Sequence, residues 1–260
     1  MARRAPAKPP AVRRRSTPPR IITVDGPSGA GKSSASRLLA KRLGWRVFET
    51  GSLYRAIAWA VLDLGVNPTD RRAVERVVAR LPIRLVLQRA TAAGDAATWR
   101  IQVRGRRLTE QLREEAVTRA ASIVAALPAV RERLLVPQRQ LARLGRVVME
   151  GRDIGTVVCP AAPVKFFLDA APTTRGQRRF QEEGARAGSF QQTLSAIDER
   201  DRRDQARPIA PLSAAPDAVY IDTTSLTLEE VVDKMMAVLQ SRGNLLSFGR
   251  LRLSSSRKFR

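Results

Sequence analysis

Residues 26–33 read Gly-Pro-Ser-Gly-Ala-Gly-Lys-Ser and follow the apolar run Ile21-Ile22-Thr23-Val24. Gly-x-x-x-x-Gly-Lys-Ser between a strand and a helix is the pattern of a loop that wraps a nucleotide polyphosphate. The chemistry needs backbone more than side chains. Gly26, Gly29 and Gly31 let main-chain N–H groups turn inward as an anion nest. The helix that begins beside Lys32 adds its positive end. Lys32 is placed to reach the β- and γ-phosphates, and the Ser33 hydroxyl suits Mg²⁺. The expected triphosphate cradle is therefore Gly26, Pro27, Ser28, Gly29, Ala30, Gly31, Lys32, Ser33 and Ser34.

Such a loop serves GTPases, motors and small-molecule kinases alike. No Asn-Lys-x-Asp guanine-reading motif is present, which weighs against a GTPase. What remains is a series of Arg-rich clusters near strand ends. They are Glu49-Thr50-Gly51-Ser52-Leu53-Tyr54-Arg55, Glu150-Gly151-Arg152-Asp153-Ile154-Gly155-Thr156, the segment from Arg200 to Leu212, and Arg175, Arg178 and Arg179. Arginine's planar fork pairs phosphate oxygens two at a time. Taken alone, any one of these arginines also reads as a solvated surface residue.

The elements that must position these groups follow from periodicity. Helices are expected over 34–43, 52–64, 69–81, 112–127, 130–144, 173–187, 193–205 and 228–239, with Pro137 kinking or interrupting the fifth. Strands are expected over 20–25, 45–48, 146–149, 164–168 and 218–221. Between them, 83–87 and 98–103 change period and read as a small antiparallel insert joined by residues 90–96. Alternating β and α elements with short links imply an α/β fold, a parallel sheet flanked by helices. Ligands then gather at the carboxyl ends of the strands, where the motifs fall. There is no internal repeat.

At 260 residues the chain suits one domain with an insert. A net charge of +23 first suggests a nucleic-acid binder. Its distribution argues otherwise. Residues 1–20 carry seven Lys or Arg and residues 241–260 carry six, with no acid in either, so the tails hold thirteen of those charges and the middle only +10. That basic remainder suits an anionic substrate. Segment 1–19 mixes arginines with prolines and is expected to be a disordered, solvated tail. It has no apolar core for a secretory signal. Weak nucleic-acid contact by the tails, to RNA, or their contact with a membrane surface is the sharper alternative. No stretch approaches the roughly 18 apolar residues of a membrane span. Cys159 has no internal disulfide partner, which fits a cytoplasmic protein.

The order Gly-x-x-x-x-Gly-Lys-Ser, Thr-Gly-x-x-Tyr-Arg, Gly-Arg-Asp-Ile-Gly-Thr and Arg-Asp-x-x-Asp…Arg…Ala-Pro-Leu resembles the bacterial cytidylate kinases. The resemblance spans about residues 20–240. It implies a P-loop kinase core, an NMP-binding insert at about 82–112 and a short lid at about 173–190. It implies transfer of the γ-phosphoryl of ATP to CMP or dCMP with Mg²⁺ held at Ser33, by a monomer.

It also implies residue roles. Arg55, Arg152 and Arg207 would clamp the CMP phosphate, with a hydroxyl from Thr50. Ser122, Arg131 and Asp153 would read cytosine, which offers a donor at N4 and an acceptor at N3 where uracil offers the reverse. Ser122 also reads as a plain helix serine and Arg131 as a surface residue. Arg200 and Asp204 would hold the sugar, although four apart in a charged helix they also read as an exposed ion pair. Arg175, Arg178 and Arg179 match the lid and join Lys32 and Arg152 as catalytic groups. Arg178 is the favoured arginine finger.

The chain departs from the family at Glu49, commonly Asp, at Cys159, commonly aromatic, and at Pro137. It has no histidine, and none is needed where the attacking phosphate oxygen is already ionised. Two other readings are weighed: a P-loop kinase for UMP or a non-nucleotide, and a non-enzymatic nucleic-acid binder. The trio Ser122, Arg131 and Asp153 speaks against the first. A 5% aromatic content, too low for stacking platforms, speaks against the second. Deleting residues 1–19 is expected to leave turnover intact in a steady-state assay; a large loss in the truncated protein would refute the solvated-tail reading.

Overall fold

Five short apolar strands make the central sheet, and alternation along them assigns each side chain to one of two cores. The computed structural model describes residues 20–88, 95–184 and 188–242 of the chain. Residues 1–19 and 243–260 of the expected basic tails, most of the 90–96 connection and residues 185–187 lie outside the described residues; Ser241 and Arg242 instead end α8.

In chain order the elements are β1 (Ile21–Asp25), α1 (Lys32–Leu43), β2 (Arg46–Glu49), α2 (Gly51–Asp63), α3 (Arg71–Arg80), β3 (Ile83–Gln88), β4 (Thr98–Val103) and β5 (Arg106–Leu108). A 3-10 turn (Glu110–Arg113) precedes α4 (Glu115–Val124), α5 (Pro128–Arg143) and β6 (Val147–Glu150). A short π-helix (Ile154–Val158) leads to β7 (Val164–Asp169), α6 (Pro172–Glu183), α7 (Phe190–Gln205), β8 (Val219–Asp222) and α8 (Leu228–Ser241).

The main sheet has the order β2-β6-β1-β7-β8, and every pair is parallel. Successive side chains point to opposite faces of a strand. Ile21, Phe48, Val147 and Met149 therefore join α2, α4 and α5 in one core. Ile22, Val24, Val47, Val148 and Leu168 join α1 and α8 in the other. Each such side chain fully buried contributes about 1.5–3 kcal/mol.

The insert is a separate antiparallel sheet, β3-β4-β5. Its third strand was not expected. At three residues, two of them arginine, it carries no readable alternation. The insert sits against the core sheet: Val47 N–H donates to the Ala97 carbonyl at 2.9 Å, and Trp99 meets Phe48 edge-on at 5.6 Å.

Two helical expectations need correction. The helix expected over 112–127 is split, because Glu114 is extended and ends the 3-10 turn before α4 begins. Pro137 does not interrupt α5, which runs unbroken for 16 residues. Pro128 opens it at a position where a proline suits a helix. Val130, Leu134, Gln138 and Leu141 bury one stripe on both sides of Pro137. The carbonyl that loses its donor belongs to Arg133, an exposed residue whose carbonyl water can serve. Restoring the missing donor with Pro137→Ala is expected to raise unfolding free energy by about 1 kcal/mol or more in urea titration. A lower midpoint would show that the ring itself is needed.

Candidate functional site

The cradle forms where β1 ends. Gly26 turns at φ 145°, and a Cβ there would lie 1.9 Å from the Leu168 carbonyl oxygen, so only glycine lets β1 leave the sheet beside β7. The loop then closes onto the first turn of α1. Lys32 is buried and donates to the Pro27 carbonyl. Burial, and then the charge of Arg152, pull its ammonium down to about 7.

Ser33 Oγ donates to Glu150 Oε1 at 3.2 Å. Glu150 ends β6, the strand beside β1, and burial followed by the neighbouring Glu49 pushes its carboxyl up. Among the described residues no group of three His, Cys, Asp or Glu side chains could hold a metal. A divalent ion here would take most of its ligands from phosphate and water. A hydroxyl and one carboxylate at the edge of a phosphate cradle fit Mg²⁺, which binds that way. Glu150 was not singled out from the sequence, although its place at a strand end just before Gly-Arg-Asp was the available signal.

Facing the cradle across one cleft are Thr50, Tyr54, Arg55, Ser122, Arg131, Arg152, Asp153, Arg179, Arg200, Asp204 and Arg207. They come from α2, α4, α5, the turn after β6, α6 and α7 with the turn that follows it. Asp204 organises the cations. It accepts from Arg152 Nε at 3.0 Å and pairs with Arg207. Burial alone would raise its carboxyl, but Arg152, Arg207 and Arg200 hold it below the usual carboxylate range. Asp204 in turn raises Arg152 above its ordinary value against the effect of burial. Arg200 has less support: burial and Arg152 pull it down to about 9.

At the far end Arg131 pairs with Asp153, donates to the Ala125 carbonyl at 3.1 Å and stands 5.6 Å from the centre of the Tyr54 ring. Ser122 Oγ, Arg55 Nε, Arg200 Nε and Arg207 Nε are buried without a hydrogen-bond partner. Buried polar groups are nearly always satisfied, so four orphans at one cleft mark a polar ligand site.

The three lid arginines separate. Arg179 lines the cleft. Arg178 does not: it donates to the Thr223 hydroxyl at 2.9 Å and carbonyl at 2.6 Å, on the far side of the loop. There a second cavity holds Gly31, Ser34, Leu226 and Val231. Arg175 is buried behind the cleft, donating to the Ala170 and Ser28 carbonyls. Thr50 spends its proton on the Glu150 carbonyl at 2.9 Å and so acts as a strut between α2 and β6. A phosphate contact would have to take that proton over. Glu49 pairs with Arg37. Cys159 is buried with its thiol pushed up to about 11, so it packs rather than reacts.

A family model described as cytidylate kinase matches residues 22–241. A cytidylate kinase of Azotobacter vinelandii is 42% identical over 226 residues, covering 86% of this chain and 96% of its own. One of a Geobacter species (strain M21) is 42% identical over 224 residues, covering 85% of this chain and 93% of its own. Among solved structures, a gluconokinase from Sinorhizobium meliloti 1021 covers 90% of this chain and 98% of its own at 17% identity and a TM-score of 0.45, too distant to carry an argument.

A bound polyphosphate should return the proton to Lys32. With Lys32 near 7 in the free protein, its ammonium is mostly discharged at about pH 8, and the anion favours recharging it. Nucleoside triphosphate binding there is expected to take up about one proton, read by calorimetry in buffers of different ionisation enthalpy. Lys32→Met should remove the uptake; equal uptake without Lys32 would place the proton elsewhere.

Proposed function

The chain belongs to the cytidylate kinase family, and on that premise we propose that this cleft transfers the γ-phosphoryl of ATP to CMP or dCMP. The observation that carries this reading is the buried Arg131–Asp153 pair and the unsatisfied Ser122, which line the same cleft as the phosphate cradle.

ATP occupies the donor half, with its polyphosphate along Gly26–Ser34 and Lys32 turning from the Pro27 carbonyl to the β- and γ-oxygens. The cavity beside Arg178 and Leu226 offers a planar cation and apolar walls to the adenine ring. CMP occupies the acceptor half. Arg55, Arg152 and Arg207 hold its phosphate, Arg200 and Asp204 its sugar, and Ser122, Arg131 and Asp153 its base. The Asp153 carboxylate accepts from the cytosine amino group, and Arg131 donates to N3. Uracil reverses both, leaving buried groups opposed.

The reaction is an in-line displacement. An already ionised oxygen of the CMP phosphate bonds to the γ-phosphorus, the bond to the β–γ bridging oxygen breaks, and ADP leaves. No proton must be removed from the nucleophile. The work is to bring two anions together, which Lys32, Arg55, Arg152 and Arg179 do by cancelling charge. Ser33 and Glu150 would hold Mg²⁺, which supplies further charge cancellation on the phosphates. Of the lid arginines, Arg179 takes the finger role. Residues 173–190 act as the lid over the core, excluding water, and 82–112 serve as the acceptor-side insert. We place the enzyme in the cytoplasm as a monomer. No helix among the described residues is long and apolar enough to cross a membrane.

A coupled ADP-release assay with CMP, dCMP, UMP and AMP as acceptors tests this. Turnover is expected with the two cytidine nucleotides, and its absence with both would overturn the reading. Asp153→Asn should cut the CMP over UMP preference by about 10-fold or more. An unchanged preference would remove Asp153 from base reading.

A further inference from the structure

The apex of the phosphate loop is held from outside by a buried ion pair. Ser28 N–H donates to Asp201 Oδ1 at 3.1 Å, and Arg175 Nη1 donates to the Ser28 carbonyl at 3.1 Å. Arg175 and Asp201 also pair with each other, so the two side chains and residue 28 close a ring. Both are deeply buried, exposing 7% and 5% of their surface. Arg175 is further fixed by donating from Nε to the Ala170 carbonyl at 3.0 Å. The packing leaves no slack: a Cβ on Gly29 would lie 2.5 Å from the Arg175 carbonyl oxygen and 2.9 Å from its Cβ.

Two consequences follow from the chemistry. The Ser28 N–H is already spent, so it does not face the phosphates, and the nest must come from the N–H groups after it. The ring also fixes the plane of the peptides at the loop apex, and with it the direction of the Pro27 carbonyl on which Lys32 rests. Asp201 stands beside Arg200 and three residues before Asp204, on the helix that lines the acceptor half. One helix therefore touches both halves of the site.

We propose that Arg175 and Asp201 are positioning residues for the donor nucleotide, clamping the loop apex at Ser28 in the geometry that receives the ATP phosphates. This rests on the reading of the cleft as an ATP and CMP site. It moves Arg175 from the lid's catalytic set to the donor cradle and adds Asp201, which the sequence shows only as one charge in a charged helix.

The full-length enzyme with Asp201→Asn or Arg175→Lys tests it. Asparagine keeps an acceptor for Ser28 but turns an amide N–H group toward Arg175. Lysine keeps the charge but replaces with one nitrogen the planar fork that reaches Ala170 from Nε and Ser28 and Asp201 from Nη1. Both variants are expected to raise KM for ATP by about 10-fold or more, while KM for CMP moves by less than about twofold. Asp201→Glu, which keeps the carboxylate, should recover part of the loss. In the nucleotide-free wild type the Ser28 amide should be protected from hydrogen exchange.

Wild-type turnover of CMP is the control. If it is absent, the assignment of the reaction fails. If it is present and the variants raise both KM values alike or neither, the clamp fails. Should a variant not fold, by thermal melting and gel filtration, the exchange measurement decides: a Ser28 amide that exchanges like free peptide would overturn the proposal.

Discussion

Cations gathered in one cleft repel one another, and the site is built around that repulsion. The charge of Arg152 helps to depress both Lys32 and Arg200. An uncompensated buried charge is costly. The structure answers with carboxylates placed among the cations. Asp204 is shared by Arg152 and Arg207, and Glu150 supports Lys32, Arg55 and Arg152. Asp153 is committed to Arg131, while Ser122 Oγ and the Nε atoms of Arg55, Arg200 and Arg207 in the same cleft have no hydrogen-bond partner.

The supply of carboxylates is a property of the sheet. All five parallel strands end on an acid: Asp25, Glu49, Glu150, Asp169 and Asp222. Parallel register brings Glu49 beside Glu150 and Asp169 beside Asp222. Each is then used differently. Glu150 faces the loop through Ser33. Asp25 turns under the sheet and accepts from the N–H groups of Ile154 and Gly155 at 2.9 and 2.7 Å, yet burial still lifts it to about 7. That contact fixes the turn carrying Arg152 and Asp153 directly to the strand that carries the phosphate loop. The phosphate loop and the turn carrying Arg152 and Asp153 thus share one backbone frame.

Much of this was legible in the sequence because it is local. The glycines, the Lys-Ser pair and the apolar runs act over a few residues, so β1, the loop and α1 follow from pattern alone. The resemblance carried Ser122, Arg131 and Asp153, and folding places them together. The rest depends on tertiary packing. Arg175, Arg178 and Arg179 lie three and four apart on one helix and look equivalent in sequence. Only the docking of α6 against α7 and the loop sends Arg175 behind the cleft, Arg178 to the far side of the loop and Arg179 into the cleft. Asp201, between Arg200 and Arg202, reads as part of a solvated face until burial shows otherwise. Pro137 was misread because a single residue was weighed against four buried neighbours on the same stripe.

The contact between Val47 and Ala97 has a meaning beyond joining insert to core. β2 is an outer strand of the main sheet, and an outer strand offers unpaired backbone to any other chain that meets it. The insert arrives at that position and takes up the Val47 N–H group itself. Trp99 then closes over Phe48, with Arg46 5.9 Å from its ring centre. The insert thereby guards the sheet against edge-to-edge association. Shortening it would uncover that edge and expose the chain to self-association.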